Sequence, residues 1–137
     1  MFNPLPESNI IGKGYLKARI LPNSPTDNPQ EIIMQVLNGW AYATGDLILG
    51  TNPVSDYTHN IAEIEIALKD VLETFEMQKV LPWCVFSHID KQHAGEEVNQ
   101  GSTAICFQSF AGCDQTMAPF GLSIEPMVEY AKVCFLF

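Results

Sequence analysis

The sequence predicts an α/β fold of four consecutive βα units, half of a (β/α)8 TIM barrel. Three observations lead there. Short apolar runs alternate with stretches of helical periodicity, and each run closes on a polar residue or a turn. The first βα turn, Leu21-Pro22-Asn23-Ser24-Pro25, carries none of the glycines of a phosphate-binding loop. The last stretch, Cys134-Phe135-Leu136-Phe137, lies inside an apolar helical pattern with no stop signal, which reads as a truncated chain. Parallel strands joined by right-handed helical crossovers are the expected solution. A flavodoxin-like open sheet has the same alternation, and the missing phosphate loop weighs against it.

Residues 1–14 read as a loop-like lead-in, with two prolines and a closing Gly12-Lys13-Gly14. The first strand is expected over Tyr15–Leu21, with Arg19 and Leu21 on one face and Ala18 and Ile20 on the other. Helical spacing of Ile33, Val36, Leu37 and Trp40 predicts a helix over 30–43, with Asp27 or Asn28 as its cap and Pro29 at its first position. The second strand lies in Gly45–Pro53, GDLILGTNP. Its Leu47-Ile48-Leu49 run has no polar alternation, as expected of a parallel strand covered on both faces.

A stripe of Ile61, Ile64, Leu68, Val71, Leu72 and Phe75 predicts the longest helix, from about residue 58 to 77, with Glu63, Glu65 and Asp70 mostly off that stripe. The third strand is Trp83–Ile89. A short polar helix follows over Asp90–Gln100, capped by Asp90 and broken at Gly95. The fourth strand is Thr103–Ser109, and Ser123 can cap a last helix through Met127, Val128 and Cys134.

Composition narrows the function classes. The 137 residues fit one domain, and 47% apolar with 17% charged residues fit a globular chain. A net charge of −9 with seven basic residues argues against nucleic acid and anionic membranes, which need clustered Lys and Arg. No apolar run approaches the roughly 20 residues of a membrane span, and the opening MFNPLPESN is no secretory signal, so a cytoplasmic protein is expected. Cys84, Cys106, Cys113 and Cys134 form no CxxC pair and read as reduced thiols.

Strand ends are where parallel α/β folds bind ligands, and here they gather Arg19, Asn52, His88 and Ser109. Pro53 holds Asn52 extended and ends its strand, so Asn52 is either a site residue or the opening of an Asn-Pro turn. A buried Arg19 needs an anion, a carbonyl or a carboxylate, which a ligand or a structural ion pair would supply. Gln108 and Ser109 either bind a ligand or cap the following turn. The spacing of His88-Ile89-Asp90-Lys91-Gln92-His93 matches no zinc signature, and no metal site is expected.

The stretches KARILPN (Lys17–Asn23), GDLILGTNPVSD (Gly45–Asp56), CVFSH (Cys84–His88) and CFQSFAG (Cys106–Gly112) together resemble the large, barrel subunit of ethanolamine ammonia-lyase. The resemblance runs from about Gly12 to Tyr130 and makes residues 15–137 the first half of a TIM-barrel-type catalytic domain. It implies an adenosylcobalamin-dependent radical conversion of ethanolamine to acetaldehyde and ammonia. It further implies a small-subunit partner, a second barrel half, and a cytoplasmic location, inside or outside a bacterial microcompartment. By the same resemblance Arg19 and Asn52 bind substrate, and Pro53 and Ser109 fall on the cofactor side.

One position departs from the family: Leu21 stands where the family has Gln, on the face that Arg19 shares. Loss of that amide leaves a substrate polar group short of a partner, at about 1–3 kcal/mol. The expected protein is therefore a partial or divergent lyase large subunit, inactive alone because four βα units fall short of the about 250 residues of a full barrel. The alternative is a catalytically inert half-barrel that serves as a binding or assembly module.

Overall fold

The computed structural model describes residues 17–109, 112–121 and 123–134. The predicted lead-in 1–14, Tyr15 and Leu16 of the first strand, and the ending 135–137 lie outside them. The elements are α1 (Pro29–Ala41), β1 (Leu49–Thr51), α2 (Thr58–Thr74), β2 (Trp83–Val85), α3 (Ile89–Val98), α4 (Asp114–Met117), a 3-10 turn (Ala118–Phe120) and α5 (Ile124–Cys134). None of the described helices is long and apolar enough to cross a membrane.

Helix α1 starts at a side-chain cap, and α1 and α2 stop where the backbone turns left-handed. Asn28 Oδ1 accepts from the amides of Gln30 and Glu31 at 2.9 and 3.3 Å, and Pro29 occupies the first position, where a missing N–H costs nothing. Helix α1 then ends ahead of Ala43, at φ 54°, and α2 ends ahead of Glu76, at φ 56°; both stops fall two or three residues earlier than the periodicity predicts. The inward faces of α1 and α2 join the sheet in one apolar cluster around Ile32, Val36, Leu49, Ile64, Leu68 and Val85.

Residues 18–20, β1, β2 and the segment around Ile105 lie side by side in chain order. Leu47 N donates to Ala18 O at 3.0 Å and Gly50 N to Ile20 O at 3.1 Å, which places residues 18–20 beside β1. β1 and β2 pair in parallel with Leu49 opposite Trp83 and Thr51 opposite Val85. Ile105 N donates to Trp83 O at 3.1 Å on the far side of β2. In a flavodoxin-like sheet the first strand sits between the second and third. Here the second segment sits between the first and third.

The strands are shorter than predicted. Of Tyr15–Leu21, the described part makes a single parallel bridge, Ile20 to Leu49. Thr103–Ser109 forms no strand, because side chains take its backbone donors: Thr103 N donates to Glu96 Oε1, and Phe107 N to Gln92 Oε1 at 2.7 Å. A ladder needs those amides, so segment 103–109 is not a strand, and its backbone bends at Ala104 and Ile105.

Three further expectations change. Gly95 does not break α3; it lies buried within it, where an added Cβ would come within 3.3 Å of Glu65 Oε2. The cap position of α3 is His88, with Asp90 in the first turn. Glu65, expected mostly off the apolar stripe of α2, is fully buried beside Ser102 and Glu96. Of the cysteines, Cys84 and Cys113 are free as expected, whereas Cys106 is disulfide-bonded.

Pairing register assigns the two faces of the sheet. Ile20, Leu49, Trp83 and Val85 share the helix-covered face, and Ile20 fills the space beside Gly39 and Gly45. Arg19, Leu21, Gly50, Cys84 and Phe86 fall on the opposite face by alternation. Gly50 is required there: an added Cβ would come within 2.9 Å of the Phe86 ring.

Candidate functional site at the strand ends

A cleft of about 170 Å³ opens where β1, β2 and segment 103–109 end. Pro53 to Asp56 form one wall, Phe86 to His88 the second, and Phe107 and Ser109 the third. The volume suits a ligand of a few heavy atoms, and among the described residues that line it Asp56 is the one carboxylate.

The loop that carries Asn52 and Pro53 takes its shape from a residue far behind it. The Asp27 carboxylate accepts from Val54 N at 2.7 Å and Ser55 N at 2.8 Å. Its backbone is left-handed, φ 54°, which Asp tolerates better than most residues. Burial opposes ionisation of Asp27, and the two amides outweigh it, so the carboxyl is held below the usual carboxylate range. At the start of the same loop, buried Thr51 donates its hydroxyl to Pro22 O at 2.7 Å. Both ties join the loop after β1 to the loop after the first extended segment.

Gln108 organises the other side. Its Oε1 accepts from Ile89 N at 2.9 Å, satisfying one of the free amides at the start of α3. Its Nε2 donates to Ser109 O at 2.7 Å and lies 3.2 Å from His88 Nδ1. Behind it, buried Gln92 donates to Val85 O at 2.6 Å while accepting from Phe107 N, so one amide joins β2 to segment 103–109. Trp83 Nε1 donates to Ser102 O at 2.7 Å.

The anchor of that segment is a pair of buried carboxyls. The Ser102 hydroxyl lies 3.4 Å from Glu65 Oε2 and 3.3 Å from Glu96 Oε1, and Gly101 N donates to Glu96 Oε2 at 2.7 Å. One hydroxyl hydrogen cannot serve two carboxylates. Burial first, and then the Glu96 charge, push the Glu65 carboxyl up to about 7. Burial, with Glu65 behind it, pushes the neighbouring Cys84 thiol up to about 12, which leaves it unreactive at neutral pH.

The predicted site residues divide between the cleft and its surroundings. Pro53, His88 and Ser109 line it together. Asn52 immediately precedes Pro53 and is exposed. Arg19, expected buried, is also exposed; its guanidinium stacks over the Phe86 ring at 4.9 Å, and Phe86 is a cleft wall. Leu21 is 37% exposed. His93 turns away toward Tyr130 of α5, with ring centroids 4.7 Å apart, and lies 3.7 Å from Glu97.

Sequence reasoning overlooked the supporting residues, although a signal existed for two of them. Asp27 and Asn28 are adjacent capping residues before one helix, and a helix uses one. Glu65 stands four residues after Ile61 and three before Leu68, which puts it on the buried stripe. Gln92 carries no such mark.

Comparison with known proteins places this chain in a family. The family model of the ethanolamine ammonia-lyase large subunit (EutB) matches residues 6–135. The ethanolamine ammonia-lyase large subunit of Escherichia coli K12 is 28% identical over 121 residues, covering 88% of this chain and 26% of the relative. The Salmonella typhimurium LT2 large subunit is 27% identical over the same coverage. The chain thus spans about a quarter of the length of the curated relatives it matches.

Proposed function

This chain belongs to the ethanolamine ammonia-lyase large-subunit family, and on that premise we propose that it forms the first half of a (β/α)8 barrel that converts ethanolamine to acetaldehyde and ammonia. The observation that carries the reading is the meeting of Pro53 and Ser109 in one cleft, beside Asn52 and next to the Phe86 ring on which Arg19 rests. Two parallel strands flanked in simple chain order by residues 18–20 and the segment around Ile105 support a barrel-type arrangement over a doubly wound one.

In this reading Arg19 and Asn52 hold the substrate. A guanidinium can only donate, which suits the hydroxyl oxygen of an amino alcohol; the Asn52 amide can accept from its ammonium group. Asp56 adds negative charge to a cleft that receives a cation. Pro53, half-buried, and Ser109, exposed, would form the side that faces the cofactor. Adenosylcobalamin supplies the organic radical when bound. The chain's own residues orient the amino alcohol and shield it from water. The second barrel half and a small subunit complete the site.

Leu21 favours a second reading. It places an apolar side chain, 37% exposed, on the face Arg19 occupies, which suits a barrel half that binds or assembles without turning over ethanolamine.

Spectral titration of adenosylcobalamin separates the two, using this chain and any longer product of its gene, with and without ethanolamine. The lyase reading expects cobalamin binding by the longer form and an ethanolamine-dependent change in its spectrum. Absence of binding by every form overturns it.

A further inference from the structure

We propose that Asp27 is a positioning residue for the substrate side of the cleft: its carboxylate fixes the backbone of Asn52 and Pro53 from behind, and affinity for the amino alcohol depends on that tie. The substrate role of Asn52 rests on the function proposed above, whereas the tie rests on the hydrogen bonds alone.

Two anchors bracket a very short stretch. Before it, the Thr51 hydroxyl donates to Pro22 O at 2.7 Å. After it, Val54 N donates to Asp27 Oδ1 at 2.7 Å and Ser55 N to Asp27 Oδ2 at 2.8 Å. Only Asn52 and Pro53 lie between the anchored residues. Pro53 fixes its own φ and confines the residue before it to extended backbone, so the pair has little freedom left to absorb a shift of either anchor. Pro53 to Asp56 are one wall of the cleft, so the position of that wall follows from the same bonds.

The carboxylate acts on backbone and touches no ligand itself. Asp27 is 6% exposed, and an amide occupies each of its oxygens. Burial opposes its charge; the amides of Val54 and Ser55, then the Ser55 hydroxyl and the Asn60 side chain, favour it. Asn60 Nδ2 in turn donates to Ser55 Oγ at 2.9 Å, which joins the first turn of α2 to the same point. Helix capping does not account for Asp27, because Asn28 caps α1. Its left-handed backbone, φ 54°, is a conformation that survives where the surroundings over-determine it, as at a ligand clamp.

Hydrogen exchange at the amides of Val54 and Ser55, followed in 1H–15N spectra of the chain, reads the tie directly. Asp27→Asn leaves one acceptor oxygen, and Asp27→Gly leaves none while accepting the left-handed backbone. Protection is expected to fall at one of the two amides in the first variant and at both in the second. Ile64→Val, a buried change in α2 outside the cleft wall, is the destabilised control and should keep both amides protected. Unchanged protection in Asp27→Gly overturns the tie.

Spectral titration with ethanolamine in the presence of adenosylcobalamin, on the longest product of the gene, reads the consequence for binding. Asp27→Asn is expected to weaken ethanolamine by about tenfold. Ile64→Val should bind it as the wild type does, which separates positioning from a general loss of stability. Equal weakening in Asp27→Asn and Ile64→Val, or wild-type affinity in Asp27→Gly, overturns the positioning role. If the wild type shows no response to ethanolamine, the lyase reading and the substrate role fall together, and the exchange measurement alone decides the Asp27 tie.

Discussion

The two sides of the sheet are held by different forces. Residues 20–85 form a parallel ladder over an apolar cluster, with Leu49, Ile64, Leu68 and Val85 fully buried. Segment 103–109 has one ladder-type bond to β2 and is otherwise seated by the side chains of Gln92, Glu96 and Gln108. Apolar contact is non-directional and tolerant, whereas buried polar seating is all-or-none in its geometry. The first side should therefore respond to lost volume, and the second to lost or added protons. Both sides contribute walls to the cleft, so its shape depends on two kinds of interaction at once.

The largest expected effect is on the apolar side. Leu68→Ala removes a fully buried side chain from the middle of α2 and should cost about 4 kcal/mol in chemical denaturation. A loss below about 1 kcal/mol would mean that this cluster is not the main support of the fold.

The next effect separates the two sides by pH. The folded Glu65 carboxyl binds its proton more tightly than in the unfolded chain, with a value of about 7 against an ordinary 4.5. The folded state then holds a proton that the unfolded state has released, so stability is full below about 4.5 and falls as pH rises through about 7, by ~3 kcal/mol in all. Glu65→Gln should flatten that slope and be more stable than the wild type at pH 8. Equal slopes in the two proteins would refute a buried acid at this position.

A smaller change tests the tie between the loops. Asp27→Asn keeps a residue that accepts a left-handed backbone but leaves one of the amides of Val54 and Ser55 without an acceptor, at about 1–2 kcal/mol. Because the Asp27 carboxyl is held below its ordinary range, the wild-type advantage should be present above that range and disappear as pH falls through the lowered value. Denaturation of both proteins across the acid limb measures it.

Much of this architecture was legible because apolar periodicity survives folding. The α2 stripe, the Asn28-Pro29 start of α1 and the short apolar runs of β1 and β2 each correspond to an element. Segment 103–109 was misread because TAICFQS has the composition of a strand, while what decides its state is the set of acceptors that α3 brings to its amides. Pro53 and His88 were legible as residues just past strands; Ser109 lines the same cleft although no strand leads to it. Asp27 and Gln92 were not, since each acts on backbone more than 14 positions away, and no local pattern records such a contact. The exposure of Arg19 was missed for a related reason: alternation assigns a side chain to a face, and what covers that face is decided elsewhere.

The Asp27 tie also sets what can be moved between proteins. The Asn52-Pro53-Val54-Ser55 loop does not encode its own shape: its amides answer to Asp27, and the threonine before it answers to Pro22. Transplanting those four residues onto another scaffold would carry the letters without the conformation. The smallest portable piece is residues 22–55, helix α1 included, which makes the loop and the helix before it a single inherited module.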